Sequence, residues 1–490
     1  MRFRVLALRV QLVSALHIDR RMWKPTLVLG VAVVMVGCVD EGEELSSTDE
    51  LLRQNAFLPN GTPIRNASGL ASTVSTAGKI DLGNEFFQDL GANGRRCVSC
   101  HLPTAGWTIT PEQMQRIFDA TDGGADDDGF GLGAAFRLND GANSPRADVS
   151  TLEARRAAYS MLLTRGLIRV GIGIPADAEF ELVAVDDPYG YASAAELSLF
   201  RRPLPTTNLK FLSAVMWDGR ETFAGKSIHF DLSDQSSGAT VGHAEGQPLP
   251  DAQRESIVAF ELSLHTAQTH DNRASDLRAN GAKGGPDLIR DQEFYIGIND
   301  NFGDSRTGAP FTSQVFTLYD AWATSSGSNK DRRAIARGQD LFNHHRINIT
   351  GVSGLNDEAI FGTPAVVPGT CTTCHDAPNG GNHSVVAPLD LGLSDASRRT
   401  PDMPLYTLRN KATGELKQTT DPGRALISGK WKHIGRFKGP VLRALATRAP
   451  YFHNGSAATL TDVVELYNDR FSIKLTAQEK SDLIAFLSAL

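Results

Sequence analysis

The sequence Cys371-Thr372-Thr373-Cys374-His375 has a counterpart of the same form far upstream, at Cys97-Val98-Ser99-Cys100-His101. Each copy places two thiols three positions apart and an imidazole directly after them. This arrangement suits the covalent attachment of haem c, in which the cysteines form thioethers with the haem vinyl groups and the histidine binds the iron. The sequence therefore predicts two covalently bound haem c groups, with His101 and His375 as axial iron ligands.

The cysteine inventory supports that interpretation. The chain has five cysteines, of which Cys97, Cys100, Cys371 and Cys374 belong to the two motifs. Only Cys38 remains, so no thiol pair is left for a disulfide or for a cysteine-rich zinc site. One zinc site built from both motifs is the alternative, and it would have to join distant parts of the chain.

The N-terminus is typical of an exported protein. Basic residues up to Lys24 precede an apolar run, Pro25 to Val36, that is too short to span a bilayer and matches a signal-peptide core. The run ends in Met35-Val36-Gly37-Cys38, which resembles the lipobox of bacterial lipoproteins. We expect residues 1–38 to be a lipoprotein-type signal peptide, with Cys38 as the lipid anchor to a membrane facing the periplasm. Cleavage without lipidation, giving a soluble periplasmic protein, is the alternative.

Composition and charge indicate which part of the chain folds and which partners it can bind. Residues 39–79 begin with an acidic, polar stretch and are expected to be a flexible linker. The remaining chain is long enough for two domains with full cores. The net charge of −7 comes without any basic stripe, so nucleic acid is excluded as a partner.

Two parts of the chain repeat the same order of features. The segment from Asp251 to Leu264 resembles the final segment from Thr476 to Leu490, because Ile257-Val258-Ala259-Phe260 matches Leu483-Ile484-Ala485-Phe486. Upstream of each segment lies an aromatic turn, and upstream of that turn lies a haem motif. The repetition indicates an internal duplication.

The duplication predicts the fold class. We expect a mainly α protein of two cytochrome c-type helical domains with long loops, residues 80–325 and 330–490, with the haems near the domain interface. Apolar spacing predicts further helices at 80–90, 152–167 and 331–342.

Several polar groups are expected to have no ligand role. The segment from Asp119 to Asp140 does not follow EF-hand spacing and is predicted to be a solvated acidic loop. His344 and His345 are expected at the surface near a helix end, and His383 in a loop.

Further motifs carry a family resemblance. Together with the two haem motifs they resemble the bacterial di-haem cytochrome c peroxidase superfamily, which includes MauG, over roughly residues 80–490. These motifs are Trp217-Asp218-Gly219-Arg220, Gly439-Pro440-Val441-Leu442-Arg443 and Ala449-Pro450-Tyr451-Phe452-His453-Asn454-Gly455. The resemblance implies an oxidoreductase that reduces hydrogen peroxide to water, with an N-terminal haem that meets peroxide and a C-terminal haem that passes or stores electrons.

The resemblance also implies roles for four individual residues. Trp217 matches the tryptophan that lies between the haems and relays charge. Tyr467 stands where the peroxidases commonly have a methionine ligand and MauG-like members have tyrosine, so it is the expected sixth ligand of the second haem. A phenolate ligand there should lower the iron potential. The family's acid/base is a glutamate downstream of Trp217, for which Glu245 is the candidate, with His243 assisting or replacing it.

Calcium, partners and rival functions follow from the same resemblance. The peroxidases have an asparagine that contributes to a calcium site, whereas Arg201-Arg202-Pro203-Leu204-Pro205-Thr206 puts an arginine at the corresponding place, so calcium is in doubt. The expected partners are hydrogen peroxide and a small redox donor protein, such as a cytochrome c or a cupredoxin, and a homodimer is compatible with the sequence. The alternatives are a MauG-like oxidase, maturase or oxygenase acting on a protein or organic substrate, and a non-catalytic di-haem electron carrier.

Overall fold

Helices and several small β-sheets share the fold. The computed structural model describes Leu52 and residues 55–126, 129–324 and 329–490. The expected signal peptide and Cys38 lie outside these residues. The α-helices in the described residues are α1 (Pro111–Ala120), α2 (Leu152–Ala158), α3 (Ser160–Arg165), α4 (Ile228–Gly242), α5 (Asp251–Ser263), α6 (Pro286–Asp291), α7 (Asp320–Thr324), α8 (Lys330–His344), α9 (Ala425–Ser428), α10 (Leu460–Arg470) and α11 (Ala477–Ser488).

The strands occupy the segments between and before the helices. They are β1 (Phe57–Pro59), β2 (Pro63–Asn66), β3 (Gly69–Ser75), β4 (Lys79–Asp81), β5 (Ile168–Ile172), β6 (Phe180–Asp186), β7 (Leu197–Arg201), β8 (Leu264–Asp271), β9 (Ser275–Asp276), β10 (Ile347–Ile349), β11 (Val367–Gly369), β12 (Leu405–Asn410) and β13 (Leu416–Thr419).

The expectation of a mainly α protein is wrong. The structure is 32% helical and 17% strand, with several sheets. The strands escape prediction because most of them are short, and because β3 and β6 pair with strands far away in the chain. Strand β3, for example, consists mostly of small and polar residues and is buried between its partners β2 and β8.

A four-stranded antiparallel sheet of order β2-β3-β8-β9 combines two strands that precede the first haem motif in the chain with two that follow it. Thr73 of β3 and Thr266 of β8 face each other across the pairing, with their hydroxyl oxygens 2.8 Å apart. The expectation of a flexible linker includes residues 57–75 and is wrong for them. They form β1, β2 and β3, whose backbone groups pair with β4, β3 and β8 respectively, and the pairing with β8 is one that no local pattern reveals.

A second sheet joins the two halves of the chain. Its order is β13-β12-β6, so that β6 from the first half pairs antiparallel with β12 from the second half. Exposed ion pairs cross the same boundary, including Arg409 with Glu181 and Arg399 with Asp186. The two halves therefore share backbone hydrogen bonds as well as side-chain contacts.

Two separate apolar cores surround the two haem motifs. The first is built from buried residues between Leu52 and Leu264 and includes the interlocking rings of Phe86, Trp107 and Phe260. The second runs from Ala274 to Leu490, so residues 274–322 already belong to it.

The strongest helix predictions are confirmed. Helices α5 and α11 occupy the duplicated segments, and α8 covers the helix expected at 331–342. Thr476 and Glu479 form the reciprocal capping box that begins α11. Helix α8 crosses α11 at Gly338, where an added Cβ would lie 2.0 Å from the backbone oxygen of Asp482.

Two other helix predictions fail locally. Residues 80–90 form β4 and a single 3₁₀ turn, Glu85–Phe87, which begins where the Asn84 side chain accepts the backbone N–H of Phe86. Most of the apolar residues there are buried, as the spacing suggests. The Asn84 side chain, however, bonds the backbone and favours a short turn over a helix. The helix expected at 152–167 is divided into α2 and α3 at Tyr159. Within the described residues, no helix has the length and apolar character needed to cross a bilayer.

Candidate functional site

The first haem motif forms a tight 3₁₀ turn, Cys97–Ser99, in which the hydroxyl of Ser99 accepts the backbone N–H of Arg96. His101 follows, with Nδ1 3.2 Å from the backbone oxygen of Trp107. A carbonyl oxygen only accepts, so Nδ1 carries the proton and Nε2 keeps a free lone pair. Burial lowers the pKa of His101 to about 4, which holds the ring in the neutral form that binds a metal.

The second motif repeats this arrangement. Its turn is Cys371–Thr373, and the hydroxyl of Thr373 accepts the backbone N–H of Thr370 at 3.0 Å. His375 Nδ1 lies 2.6 Å from the backbone oxygen of Gly381, and burial lowers the pKa of His375 as well. The same hydroxyl position and the same Nδ1 contact thus recur, as expected of two equivalent metal-ligand histidines.

The thiols of the two motifs border the two cavities and form no disulfide in the described residues. All four cysteines in the described part of the chain are free. Cys97, Cys100 and His101 line one cavity, and Cys371, Cys374 and His375 line a second. Burial raises the pKa of Cys97 and of Cys371 to about 12 each, so both are protonated in the folded, unmodified chain.

The two cavities share one wall. Trp217 lines both, and its indole N–H donates to the backbone oxygen of Arg202 at 2.8 Å. Lys438 donates its backbone N–H to the oxygen of Trp217 at 2.9 Å. The other residues common to both cavities are Arg202, Pro203, Pro205, Lys438, Pro440 and Arg448. The structure therefore places the indole between the two haem motifs.

Buried cations in this wall test whether the cavities fit haem. Within the described residues, no carboxylate forms an ion pair with Arg202, Lys438 or Arg448, which donate instead to backbone carbonyls. Burial lowers the pKa of Arg202 to about 9, of Arg448 to about 10 and of Lys438 to about 7. Unpaired buried cations are costly. The propionates of haem would supply the missing anions, so the residues present fit that group.

A ring stack extends the wall toward the second motif. His453 stacks on Phe437 with centroids 3.8 Å apart and meets Trp217 edge-on at 6.3 Å. Both ring nitrogens of His453 are buried without a hydrogen-bond partner in the described structure. Burial lowers the pKa of His453 to about 4, so the ring is a neutral member of the aromatic wall.

The two acid/base candidates separate in the structure. His243 lines the first cavity, and its Nδ1 lies 2.6 Å from a carboxylate oxygen of Asp140, which lines the same cavity. Glu245 is exposed, has a φ of 55°, and does not belong to the described residues that line this cavity. The structure thus brings His243, but not Glu245, to the first haem motif.

Sequence reasoning missed Asp140 and a second acidic group. Glu261 of α5 lines the first cavity, and its Oε2 is buried without a hydrogen-bond partner in the described residues. Burial raises its pKa to about 8. The duplication could have revealed it, because Glu261 follows Phe260 as Leu487 follows Phe486.

Tyr467 lies in the second cavity, on α10, with Phe452 and Phe471 as ring neighbours. Burial raises the pKa of Tyr467, so the phenol keeps its proton unless a metal replaces it. A tyrosine oxygen is available to a metal in the same cavity as His375.

The remaining polar residues singled out in the sequence lie partly where they were expected. Arg202, at the place of the peroxidases' calcium-binding asparagine, donates to the backbone oxygens of Arg165 and Ile109. His383 is in a loop but buried, with Nδ1 3.1 Å from Asp376. His344 is exposed beside Asp340, while His345 borders the second cavity. Asp127 and Asp128 of the acidic loop lie outside the described residues.

The fold and the two sites define a protein with two candidate haem c attachment sites on either side of one aromatic wall. Comparison with known proteins confirms the resemblance to bacterial cytochrome-c peroxidases over part of the chain. No protein-family profile matches the chain.

The similar proteins are bacterial peroxidases. The chain is 33% identical over 141 residues to cytochrome-c peroxidase IdrP1 of Pseudomonas sp. (strain SCT), covering 24% of this chain and 36% of that protein. It is 27% identical over 139 residues to cytochrome c551 peroxidase of Nitrosomonas europaea, covering 28% and 35%. The matches therefore span little more than a third of these relatives. A solved MauG-like protein associated with microbial copper homeostasis aligns with 89% of this chain and 93% of its own, with a TM-score of 0.37 and 16% identity.

Proposed function

We propose that the chain is a c-type di-haem peroxidase that reduces hydrogen peroxide to water at the His101 site and receives electrons through the His375 site. The observation that carries the proposal is the pair of CxxCH cavities that share the Trp217 wall. The partial matches to bacterial cytochrome-c peroxidases support the same activity. Electrons would come from a small redox protein outside the cytoplasm.

The chain's part in this chemistry begins with holding the cofactor. When bound, haem c supplies the iron at which a peroxide O–O bond is cleaved and electrons are accepted. His101 and His375 would each present Nε2 to an iron, since Nδ1 of each ring is held by a backbone oxygen. Arg202, Lys438 and Arg448 would pair with haem carboxylates in the shared wall.

His243 is the group proposed to move the proton that peroxide reduction needs. Asp140 accepts the Nδ1 proton at 2.6 Å, which orients the ring and leaves Nε2 to take a proton from one peroxide oxygen and return it to the other. The carboxylate also stabilises the imidazolium while the ring holds that proton.

Trp217 is proposed to carry charge between the two sites. Its ring borders both cavities, and two backbone hydrogen bonds, through Arg202 and Lys438, fix its position. A fixed ring that shortens the distance between two redox centres suits electron transfer, and the same contacts suit a packing role.

The test compares two histidine–aspartate pairs. Replacing His243→Gln in the purified holoprotein should lower the rate of peroxide consumption by a factor of about 100 or more, as expected for loss of a general acid/base. His344 provides a matched control, because its Nδ1 also contacts a carboxylate, Asp340, at 2.8 Å but lies on the surface. His344→Gln should leave the rate unchanged.

Two results would contradict the proposal. If peroxide is not consumed by protein that carries haem at both motifs, as counted by a pyridine haemochrome assay, the peroxidase assignment is wrong. If Glu245→Gln lowers the rate and His243→Gln does not, the proton is moved by Glu245.

Tyr467 favours a second candidate function. A phenolate ligand stabilises oxidised iron, which suits a MauG-like oxidase acting on a protein or organic substrate. Tyr467→Phe should then abolish oxidation of an added organic donor while changing only the optical bands of the second haem. Unchanged bands would exclude Tyr467 as a ligand.

A further inference from the structure

The duplicated helices α5 and α11 each line one of the two cavities, and they carry different residues at one equivalent position. Ile257 of α5 and Leu483 of α11 occupy matching positions, and each lines the cavity of its own half. One turn later, Leu487 lines the second cavity, whereas Glu261 lines the first. A carboxyl group therefore stands where the equivalent site has a purely apolar side chain.

Within the part of the chain that the structure describes, Glu261 has no ion-pair partner to explain its burial. It is 5% exposed, and its Oε2 has no hydrogen-bond partner in the described residues. A buried carboxylate without a partner is costly, so the group holds a proton until its surroundings favour the ion. The fold bears this cost at one of two equivalent positions, which points to a role in the first site alone.

The charged groups on the elements packed against α5 are engaged elsewhere. Glu85 bonds the hydroxyl of Ser256, and Lys210 donates to the backbone oxygen of Arg290. On α5 and α4, Glu255 pairs with His229 at the surface. Glu261 interacts electrostatically with Cys97, and thioether formation would remove the titratable proton of that thiol. His101, Arg95 and the His243–Asp140 pair line the same cavity.

We propose that Glu261 takes up one proton when the haem held by His101 gains one electron, and that it releases this proton when the electron leaves. Glu261 would thus be a positioning residue that keeps the charge at the first site constant. The proposal rests on the proposed function only in requiring haem at His101. An external one-electron reductant supplies the electron, and solvent supplies the proton that forms the carboxyl O–H bond. The net charge of the cavity then stays the same, whereas an uncompensated electron beside a carboxylate would be disfavoured by repulsion.

The consequence is a reduction potential that depends on pH at the first haem. Where one proton accompanies one electron, each tenfold fall in proton concentration lowers the equilibrium constant for reduction by up to tenfold, which corresponds to about 59 mV. Leu487 cannot exchange a proton, so the second haem lacks this contribution.

The test is spectroelectrochemical titration of the holoprotein at several pH values. In the wild type, the reduction potential of the first haem should fall as pH rises. Glu261→Gln and Glu261→Leu should both lose most of this dependence of potential on pH. Glu255→Gln is the matched control, because it removes an exposed carboxyl from the same helix, and it should keep the slope. Leu487→Glu should create a new slope at the second haem.

The different failures can be told apart. If wild type and Glu261→Gln show the same dependence on pH, or if neither shows any, the proposal for Glu261 is wrong while the peroxidase assignment stands. If the haemochrome assay finds no haem at the first motif, the proposed function itself fails. If both Glu261 variants fold poorly, Leu487→Glu provides the test. If the potential of the second haem in that variant does not depend on pH, the proposal for Glu261 is also wrong.

Discussion

At the scale of single residues, burial without a partner marks the groups that matter for function. Glu261, His453 and two cations of the shared wall, Arg202 and Lys438, are buried without an ion-pair partner in the described residues, which would be costly in an ordinary core. They line the two cavities that hold the CxxCH motifs. Burial of polar groups thus locates the site independently of the cysteine motifs.

The raised pKa of Glu261 makes stability depend on pH. The pKa of this carboxyl is about 8 in the folded chain against an ordinary value of 4.5, so between these values the folded state binds more protons than the unfolded state. Its contribution is fully present below pH 4.5 and is lost as pH rises through about 8, at about 1.4 kcal/mol for each pKa unit. In Glu261→Gln, the melting temperature should fall less steeply over this range than in wild type.

Differential scanning calorimetry at closely spaced pH values would check this. Glu255→Gln, on the exposed side of the same helix, should follow the wild-type curve. Parallel curves for wild type and Glu261→Gln would show that the carboxyl group titrates alike in the folded and unfolded chain.

At the scale of elements, the helix crossing in the second half depends on a missing side chain. Gly338→Ala would push a methyl group into the backbone of α11, with Asp482 O 2.0 Å away. Overpacking of this kind costs about 1 to 3 kcal/mol. Gly238 of α4 offers the opposite case, because a methyl group added there would meet nothing within 4 Å. Gly238→Ala should stabilise by about 0.4 to 1 kcal/mol, since it restricts the unfolded chain.

Urea denaturation of the two variants checks both signs in one experiment. Equal effects of the two substitutions would mean that the α8–α11 contact does not set the stability of the second half.

The elements also show what the sequence can and cannot predict. Helices α5, α8 and α11 are predictable, because their apolar spacing and capping residues are local signals. The strands β3, β6 and β12 are not, since each depends on a partner distant in the chain. The same reason explains the site: the CxxCH motifs are local, whereas the pairing of His243 with Asp140 arises only after folding.

At the scale of the whole molecule, one buried cluster of ion pairs links the two halves of the chain beside the shared wall. Arg201 of β7 contacts Asp421 from the second half at 2.7 and 2.9 Å, and Asp218 at 2.5 Å. Asp421→Ala should lower the free energy of unfolding by about 3 to 5 kcal/mol, because it leaves a buried guanidinium short of one partner.

The matched control is an exposed pair that spans the same halves. Glu181→Ala breaks the contact with Arg409 and should cost only about 0 to 1 kcal/mol. Chemical denaturation measures the free energy of unfolding of both variants. If Asp421→Ala lowers it no more than Glu181→Ala does, the buried cluster does not stabilise the contact between the halves.

The sheet of β3 and β8 also affects the order of events during biosynthesis. Thr73 of β3 accepts the indole N–H of Trp107, whose backbone oxygen holds His101, yet its strand partner Thr266 lies 193 residues further along. A chain delivered N-terminus first cannot complete this support until that later strand has emerged. The turn that carries Cys97, Cys100 and His101 therefore lacks this support until Thr266 is present.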